Sequence, residues 1–231
     1  MRGILFDMDG VLIDAMPYHA EAFKRAFKDV INLEIENKDV YLLEGMPGEE
    51  LTKQILKKYA NAENDEEIIK SIDQKKTKIF HQIEESKPFD GVHDLMNSLN
   101  SIDCLKAVVS GASSKEVESL LQKSGLLKSF DLIVTGDDLS EGKPEPQPFI
   151  YAVEKLGLQT SNTLVVENAP LGIESAIKAG IDYIVTLNNT LLRLEDFHKL
   201  PKDSRITSRK VFVDTSTASP FILKWCGDSE N

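Results

Sequence analysis

The sequence predicts an α/β protein, in which helices cover both faces of a parallel sheet and a helical segment is inserted near the start. From residue 88 onward, short apolar runs typical of buried strands alternate with helical patterns, and glycines such as Gly125 and Gly157 follow the helices as stop signals. Between residues 17 and 87 the apolar residues recur at helical spacing without a good strand pattern. We therefore expect a three-layer core formed by residues 1–16 and 88–231, and a helical insert formed by residues 17–87.

Each predicted element follows from its local pattern. The apolar run that ends at Phe6 predicts the first strand. Phe23 and Phe27 recur on one face of a predicted helix over residues 17–28, and Asp14 is expected to cap its amino terminus. Further along the chain, we expect helices over residues 92–99, 114–124, 147–156, 171–178 and 220–225, strands over residues 104–109, 132–134, 164–166, 181–186 and 210–213, and a loop with a short helical turn over residues 189–209.

Composition and charge narrow the class of protein. The 231 residues, of which 41% are hydrophobic, suffice for one folded domain, with or without an insertion. A formal net charge of −11 argues against nucleic acid or an anionic membrane surface as a partner, because phosphate groups would be repelled overall. A small phosphorylated ligand would need local cations.

The cysteines and the terminal segments suggest an ordinary cellular protein. Cys104 and Cys226 lie in apolar surroundings and match no metal-binding spacing, so we expect both to be packing residues. No basic leader with a long apolar region is visible, and no apolar run approaches membrane-spanning length. The default expectation is a soluble, cytoplasmic monomer that does not contact a membrane.

Two carboxylates follow the first predicted strand. If residues 4–9 are extended, Asp7 and Asp9 point to the same side, because side chains alternate along a strand. Gly10 lets the backbone turn sharply after them. A lone pair of acids can simply close a strand, so this pair gains meaning from three further polar positions.

Those three positions also follow predicted strands. Ser110 and Gly111 come after one apolar run, Glu167 and Asn168 after another, and Lys143 lies in a loop after a third. Because the carboxyl ends of parallel strands meet at one edge of the sheet, we expect these residues to lie near Asp7. Taken singly, Lys143 reads as a surface lysine and Ser110 as a turn residue, whereas together the positions indicate a site for an anion and a cation.

Phosphoryl transfer is the chemistry that these residues permit. Asp7 can attack phosphorus as a nucleophile, and Asp9 can protonate the leaving oxygen and later deprotonate a water. Lys143 can balance charge, and Ser110 and Gly111 can donate a hydroxyl and a backbone N–H to phosphate oxygens. Mg²⁺ suits such an anionic site, with Asp7, the backbone carbonyl of Asp9, Glu167 and Asn168 as candidate ligands.

The four motifs, in this order, resemble the haloacid dehalogenase superfamily, in the branch with a small helical cap between its first two motifs. The match spans roughly residues 1–186, and the surroundings of Asp7, with His19 and Glu44 in the insert, look like β-phosphoglucomutase and its phosphatase relatives. The resemblance implies a Rossmann-like core, Mg²⁺, a nucleophile at Asp7 and a general acid and base at Asp9. His19 could link the insert to this centre, although a helix-surface histidine is the simpler interpretation.

Two departures from that branch matter, the first for the metal and the second for the choice between phosphatase and mutase. Asn168 replaces an acid that is common at this position, and Gly48 stands where the mutase carries an arginine that holds a distal phosphate. The sequence therefore favours a Mg²⁺-dependent phosphatase that acts on a small phosphorylated metabolite, such as a sugar phosphate, through an aspartyl-phosphate. A sugar-phosphate mutase and a non-catalytic phosphate-binding protein stay open, while Asp9 argues against a dehalogenase, since those relatives generally lack the second acid.

Overall fold

A six-stranded parallel sheet forms the centre of the molecule. The computed structural model describes residues 1–197 and 210–227. The strands lie in the order β3-β2-β1-β4-β5-β6, so the first strand is central and pairs with β2 on one side and β4 on the other. The strands are β1 (Arg2–Phe6), β2 (Cys104–Val109), β3 (Leu132–Val134), β4 (Thr163–Glu167), β5 (Asp182–Thr186) and β6 (Lys210–Phe212).

Helices surround this sheet, which confirms the predicted α/β fold class. The predicted boundaries agree with the observed ones to within a few residues at most ends. Within the described residues, no helix is long and apolar enough to span a bilayer. The helices are α1 (Met16–Ile31), α2 (Asn37–Leu42), α3 (Gly48–Tyr59), α4 (Glu66–Ile83), α5 (Val92–Leu99), α6 (Ser114–Lys123), α7 (Gln147–Leu156), α8 (Pro170–Ala179) and α9 (Thr215–Gly227).

One predicted helix start and one predicted helix cap are wrong. The last helix begins at Thr215, and Pro220, which was expected to open it, lies inside α9. Asp14 does not cap α1: the cap position is Ala15, no side chain caps the helix, and Asp14 Oδ2 instead accepts a hydrogen bond from Asn189 at 3.3 Å. Of the predicted loop, the short helical turn appears as a 3₁₀ turn at Leu194–Phe197, and residues 198–209 lie outside the described part of the chain.

The helical insert leaves and re-enters the core at adjacent points. Helices α1 to α4 follow β1 without a strand between them. The Asp14 N–H donates to the Lys87 carbonyl at 2.9 Å, and the Phe89 N–H donates to the Leu12 carbonyl at 3.1 Å. The two connecting segments therefore run side by side, and the division of the chain into core and cap at residues 17 and 87 stays a prediction.

The two cysteines form a disulfide, which corrects the prediction that they are simple packing residues. Cys104, at the start of β2, is bonded to Cys226 in α9 across a sequence separation of 122 residues. Both side chains are buried, as expected, but neither is a free thiol. Next to the disulfide, the Arg2 guanidinium donates to the Trp225 carbonyl and lies 5.0 Å from the centre of the Trp225 ring.

Candidate active site

The predicted site residues meet at the carboxyl edge of the sheet. Asp7 and Asp9 follow β1, Ser110 follows β2, and Glu167 ends β4 with Asn168 behind it. The Asp7 N–H continues the sheet by donating to the Val166 carbonyl at 3.0 Å. Parallel pairing of β1 with β2 and β4 explains why residues distant in sequence come together here.

Lys143 occupies the centre of this group. Its loop brings the ammonium into an ion pair with Asp7 and to 2.8 Å from Glu167 Oε1, and it also donates to the Val109 carbonyl at 3.2 Å. The residue is 2% exposed, so the surface-lysine interpretation is wrong. Burial alone would lower the pKa of Lys143, but Asp7 and Glu167 outweigh it and hold that pKa above its usual value. Lys143 is therefore a fixed positive charge between two carboxylates.

The ionised form of Asp7 is disfavoured in spite of its contact with Lys143. Burial raises the pKa of Asp7 well above its ordinary value; Lys143 opposes this shift, while Glu167 and Asp9 add to it. The Oδ1 atom of Asp7 faces Lys143, and Oδ2 is buried without a hydrogen-bond partner. A second cation beside Asp7 would favour its ionised form.

Glu167 is held by neighbours on both of its oxygens. Oε1 accepts from Lys143, and Oε2 accepts from the backbone N–H groups of Asn168 at 2.7 Å and Ala169 at 2.9 Å. Coordination of a metal by Glu167 stays a prediction, and it requires one of these contacts to give way. The present contacts fix the loop that carries Asn168.

His19 brings α1 of the helical insert against the core. Its Nε2 atom lies 3.6 Å from Asp9 Oδ1 and 3.8 Å from Glu116 Oε1, and its ring stacks on Phe80 with centroids 4.1 Å apart. The side chain is 8% exposed, so the helix-surface interpretation is wrong. His19 therefore joins the insert to the acid that is proposed to handle protons.

Ser110 and Gly111 lie where the sequence placed them. The Ser110 hydroxyl oxygen accepts from the Ala112 N–H at 3.2 Å, which leaves its hydrogen for a ligand. Both residues line a cavity of about 340 Å³ between core and insert, which Asp7 and Asp9 also line. A phosphate on Asp7 can thus meet the Ser110 hydroxyl and nearby backbone donors.

Three polar residues to which the sequence analysis assigned no role line this cavity, two in the insert and one in α6 of the core. Glu44 accepts hydrogen bonds from Asn168, Lys76 in α4 lies 4.8 Å from the centre of the Phe80 ring, and Glu116 in α6 lies 3.8 Å from Lys76. Burial raises the pKa of Glu44 well above its usual value, and Asp7 and Glu167 add to the shift. Glu44 was noted only as part of the family resemblance and no local pattern marks the other two, because the contacts of all three depend on how the insert docks.

The unpartnered polar atoms at the site fit a hard cation such as Mg²⁺. Asp7 Oδ2, Asp9 Oδ1 and Asn168 Oδ1 are buried without hydrogen-bond partners, and oxygen atoms of this kind are the ligands that Mg²⁺ prefers. Within the described residues, no three His, Cys, Asp or Glu side chains are arranged to chelate a metal. A cation here would therefore depend on the Asn168 amide oxygen and on backbone carbonyls as well as on acids.

This arrangement defines a class of α/β enzyme with a parallel sheet. A lysine lies between two carboxylates at the carboxyl edge of the sheet, and a helical insert covers that edge. The chain belongs to the haloacid dehalogenase-like hydrolase family, whose sequence model matches residues 4–186. The predicted family and the prediction of an enzyme are confirmed.

Relatives in this family come from several bacteria. The chain is 27% identical over 191 residues to a phosphorylated carbohydrates phosphatase of Thermotoga maritima, covering 83% of this chain and 87% of that protein. It is 26% identical over 189 residues to a fructose-1-phosphate phosphatase of Escherichia coli, covering 79% and 94%. A solved structure from Bacteroides vulgatus, provisionally assigned as a β-phosphoglucomutase, superposes with a TM-score of 0.84 at 27% identity, covering 99% of this chain and 91% of that one.

Proposed function

We propose that this protein is a Mg²⁺-dependent phosphatase that hydrolyses a small phosphorylated metabolite, of the sugar-phosphate class, through an aspartyl-phosphate at Asp7. The observation that carries this proposal is the buried contact of Lys143 with both Asp7 and Glu167 beneath a cavity that Ser110 lines. Relatives named as phosphatases of phosphorylated carbohydrates support the substrate class.

The first half of the reaction uses the two aspartates in different roles. One carboxylate oxygen of Asp7 attacks the phosphorus, and the bond from phosphorus to the ester oxygen breaks. Asp9 gives its proton to the departing oxygen, which leaves as an alcohol. Lys143 and the Ser110 hydroxyl stabilise the charge on the phosphoryl oxygens during this transfer.

The second half reverses the direction of the proton. The Asp9 carboxylate takes a proton from a water molecule, whose oxygen attacks the phosphorus of the acyl-phosphate. The phosphorus bond to Asp7 breaks, and inorganic phosphate and the Asp7 carboxylate are regenerated. The Nε2 atom of His19 lies 3.6 Å from Asp9 Oδ1, so the insert borders that acid at its junction with the core.

Asp7, the Asp9 backbone carbonyl, Glu167 and Asn168 would hold Mg²⁺, which would supply positive charge that offsets the repulsion between an anionic ester and these acids. The fit rests on the buried, unpartnered oxygens of Asp7 and Asn168. Removal of Mg²⁺ by EDTA is expected to stop phosphate release.

The cavity charge favours one phosphate and several hydroxyl groups on the substrate. Carboxylates dominate the lining beyond the reacting phosphate, and hydroxyl groups can donate to carboxylates whereas a second phosphate would be repelled. Lys76 is a cation among them, and it lies 3.8 Å from Glu116. The acidic residues of the lining outside the reacting pair are Glu44, Glu49, Asp73, Glu116 and Asp137.

The mutase alternative requires a grip on a second phosphate. Gly48 opens α3 at the rim of the cavity and has no side chain to provide it. The likeness to the Bacteroides vulgatus structure keeps this alternative as the second candidate. Hydrolysis is favoured because the acidic lining does not hold a bisphosphate in two orientations.

The test is a panel of phosphorylated metabolites and an aryl phosphate, assayed for phosphate release with Mg²⁺. Wild type and the exposed control Asp103→Asn are expected to be active, whereas Asp7→Asn and EDTA-treated wild type are expected to be inactive. Full activity of Asp7→Asn would overturn the proposal. Phosphorus NMR that shows isomerisation of a hexose 1-phosphate faster than phosphate release would favour a mutase, and chloride release from 2-chloroacids would indicate a dehalogenase.

A further inference from the structure

A glutamate of the helical insert contacts the asparagine that replaces an acid in the fourth motif. Glu44 lies in the turn after α2, and the Asn168 Nδ2 atom is 2.9 Å from both of its carboxylate oxygens. Both residues are buried, Asn168 completely and Glu44 with 6% of its surface exposed. The contact spans 124 positions in sequence and joins insert to core.

The direction of these hydrogen bonds fixes the orientation of the amide. An amide nitrogen donates and does not accept, so both Glu44 oxygens act as acceptors. With its nitrogen committed to Glu44, Asn168 must turn Oδ1 the other way. That oxygen is buried without a hydrogen-bond partner, as Asp7 Oδ2 is on the neighbouring strand end. A buried amide oxygen left unpaired is costly unless a ligand meets it.

Close packing holds the Glu44 turn in place. A side chain on Gly111 would begin 2.6 Å from the Gly45 carbonyl oxygen, and a side chain on Gly45, which has φ of +92°, would begin 2.7 Å from Lys143 Cδ. A side chain on Gly10 would begin 2.1 Å from Asn168 Nδ2. Three glycines thus leave just enough space for the turn to reach the cation edge of the site.

Charge explains why Glu44 and Asn168 occur as a pair. An acid at position 168 would place a second carboxylate within 2.9 Å of Glu44, and like charges so close in a buried site are strongly unfavourable. Asparagine at 168 avoids this repulsion and supplies the N–H donor that the buried Glu44 side chain accepts from.

We propose that Glu44 is a positioning residue that orients the Asn168 carboxamide so that Oδ1 binds the cation, which makes the docked insert part of the metal site. This inference rests on the cation of the proposed function, but it concerns how that cation is held. It predicts that Mg²⁺ binds more tightly when the insert is docked, and that substitutions at Glu44 act on metal affinity before they act on chemistry.

The test measures Mg²⁺ affinity of the full-length protein by isothermal titration calorimetry, without substrate. Glu44→Leu removes the acceptor and is expected to weaken Mg²⁺ binding by about tenfold or more, as is usual when the partner of a metal ligand is lost. Glu44→Gln keeps an acceptor oxygen for Asn168 and is expected to bind nearly as well as wild type. Glu67→Leu, an exposed glutamate of α4, is the control for loss of a charge on the insert.

A second comparison stays informative where Glu44→Leu fails to fold. Asn168→Asp is expected to weaken Mg²⁺ binding because it faces Glu44, and adding Glu44→Gln to it is expected to restore the affinity, since glutamine donates to aspartate. If Glu44→Leu binds Mg²⁺ as tightly as wild type, or if the double variant binds no better than Asn168→Asp, the positioning role is overturned.

Parallel assays of phosphate release separate this inference from the proposed function. Unchanged Mg²⁺ affinity in Glu44→Leu, together with Mg²⁺-dependent hydrolysis by wild type, would refute the positioning role and leave the phosphatase. Glu44-dependent Mg²⁺ binding by a wild type that hydrolyses no phosphate ester would support the positioning role and overturn the phosphatase.

Discussion

Gly172 and Glu167 are fitted to each other across the first turn of α8. A Cβ atom on Gly172 would lie 1.6 Å from Glu167 Oε1, the oxygen that accepts from Lys143. Glycine in the interior of a helix ordinarily costs about 1 kcal/mol relative to alanine. Its presence here is explained by the space that the Glu167 carboxylate occupies.

Gly172→Ala is therefore expected to displace Glu167, despite the better helix propensity of alanine. Phosphate release should fall by about tenfold or more, by analogy with the loss of a group that orients an active-site ligand. Steady-state kinetics check this expectation. Gly227→Ala, at a glycine with nothing within 4 Å of the added Cβ, is the matched control and should leave kcat unchanged.

Lys143→Met should remove the positive charge between Asp7 and Glu167. We expect kcat to fall by about 10²- to 10³-fold, the usual cost of losing one group that stabilises transition-state charge. Lys178→Met is the control, because Lys178 pairs with Glu145 and Glu174 on the outer side of α8. Equal kcat values for the two variants would contradict the central position of Lys143 in the reaction.

Reduction of the disulfide should affect stability rather than activity. Cys104 and Ser110 lie at opposite ends of β2, about 20 Å apart at 3.3 Å per residue, so the bond is remote from the chemistry. Cys226→Ser is expected to lower the free energy of unfolding by about 2 to 4 kcal/mol. Thermal unfolding of wild type with dithiothreitol should match that of the variant, and dithiothreitol should not change the variant.

Asp73 should make stability depend on pH. Burial raises the pKa of this carboxyl in the folded protein, with Lys76 opposing the shift and Glu49 adding to it. The folded state therefore holds the Asp73 proton more tightly than the unfolded state, and stability is lost as the pH rises from the ordinary value of 3.8 through the raised value.

Asp73→Asn removes this penalty, so its gain in melting temperature over wild type should be larger at pH 7 than at pH 3. Thermal melts across that range check the sign. Asp103→Asn, at an exposed loop position, should show no comparable trend. A gain that shrinks as the pH rises would contradict burial as the dominant effect at Asp73.

Sequence reasoning located the core of the site because strand ends are readable. The acids after β1, Ser110 after β2 and Glu167 at the end of β4 each follow an apolar run, and parallel pairing does the rest. Lys143 was also predicted as a site residue, but its burial was not predicted. That burial depends on its ion pairs with Asp7 and Glu167, which lie in other segments of the chain.

The insert and the disulfide could not be read in the same way. Glu44 was noted in the sequence only as part of the family resemblance, and Lys76 looks like an ordinary polar residue of a charged helix. Only the docking of the insert brings both to the cavity. The pairing of Cys104 with Cys226 depends on α9 packing beside the start of β2, which an apolar setting for each cysteine does not reveal. The start of α9 was predicted too late, at Pro220, because proline is favoured in the first turn of helices.

The chain leaves the core at Asp14 and returns to it at Phe89, so the helical insert of this enzyme is suited to exchange as a unit. Because these two points are neighbours, the helical insert of a relative could be placed between them without changing the order of the strands. Such a chimera must bring an acceptor for Asn168, or else replace that asparagine as well. The insert residues that line the cavity would then be exchanged as a set, provided that positions 44 and 168 are exchanged together.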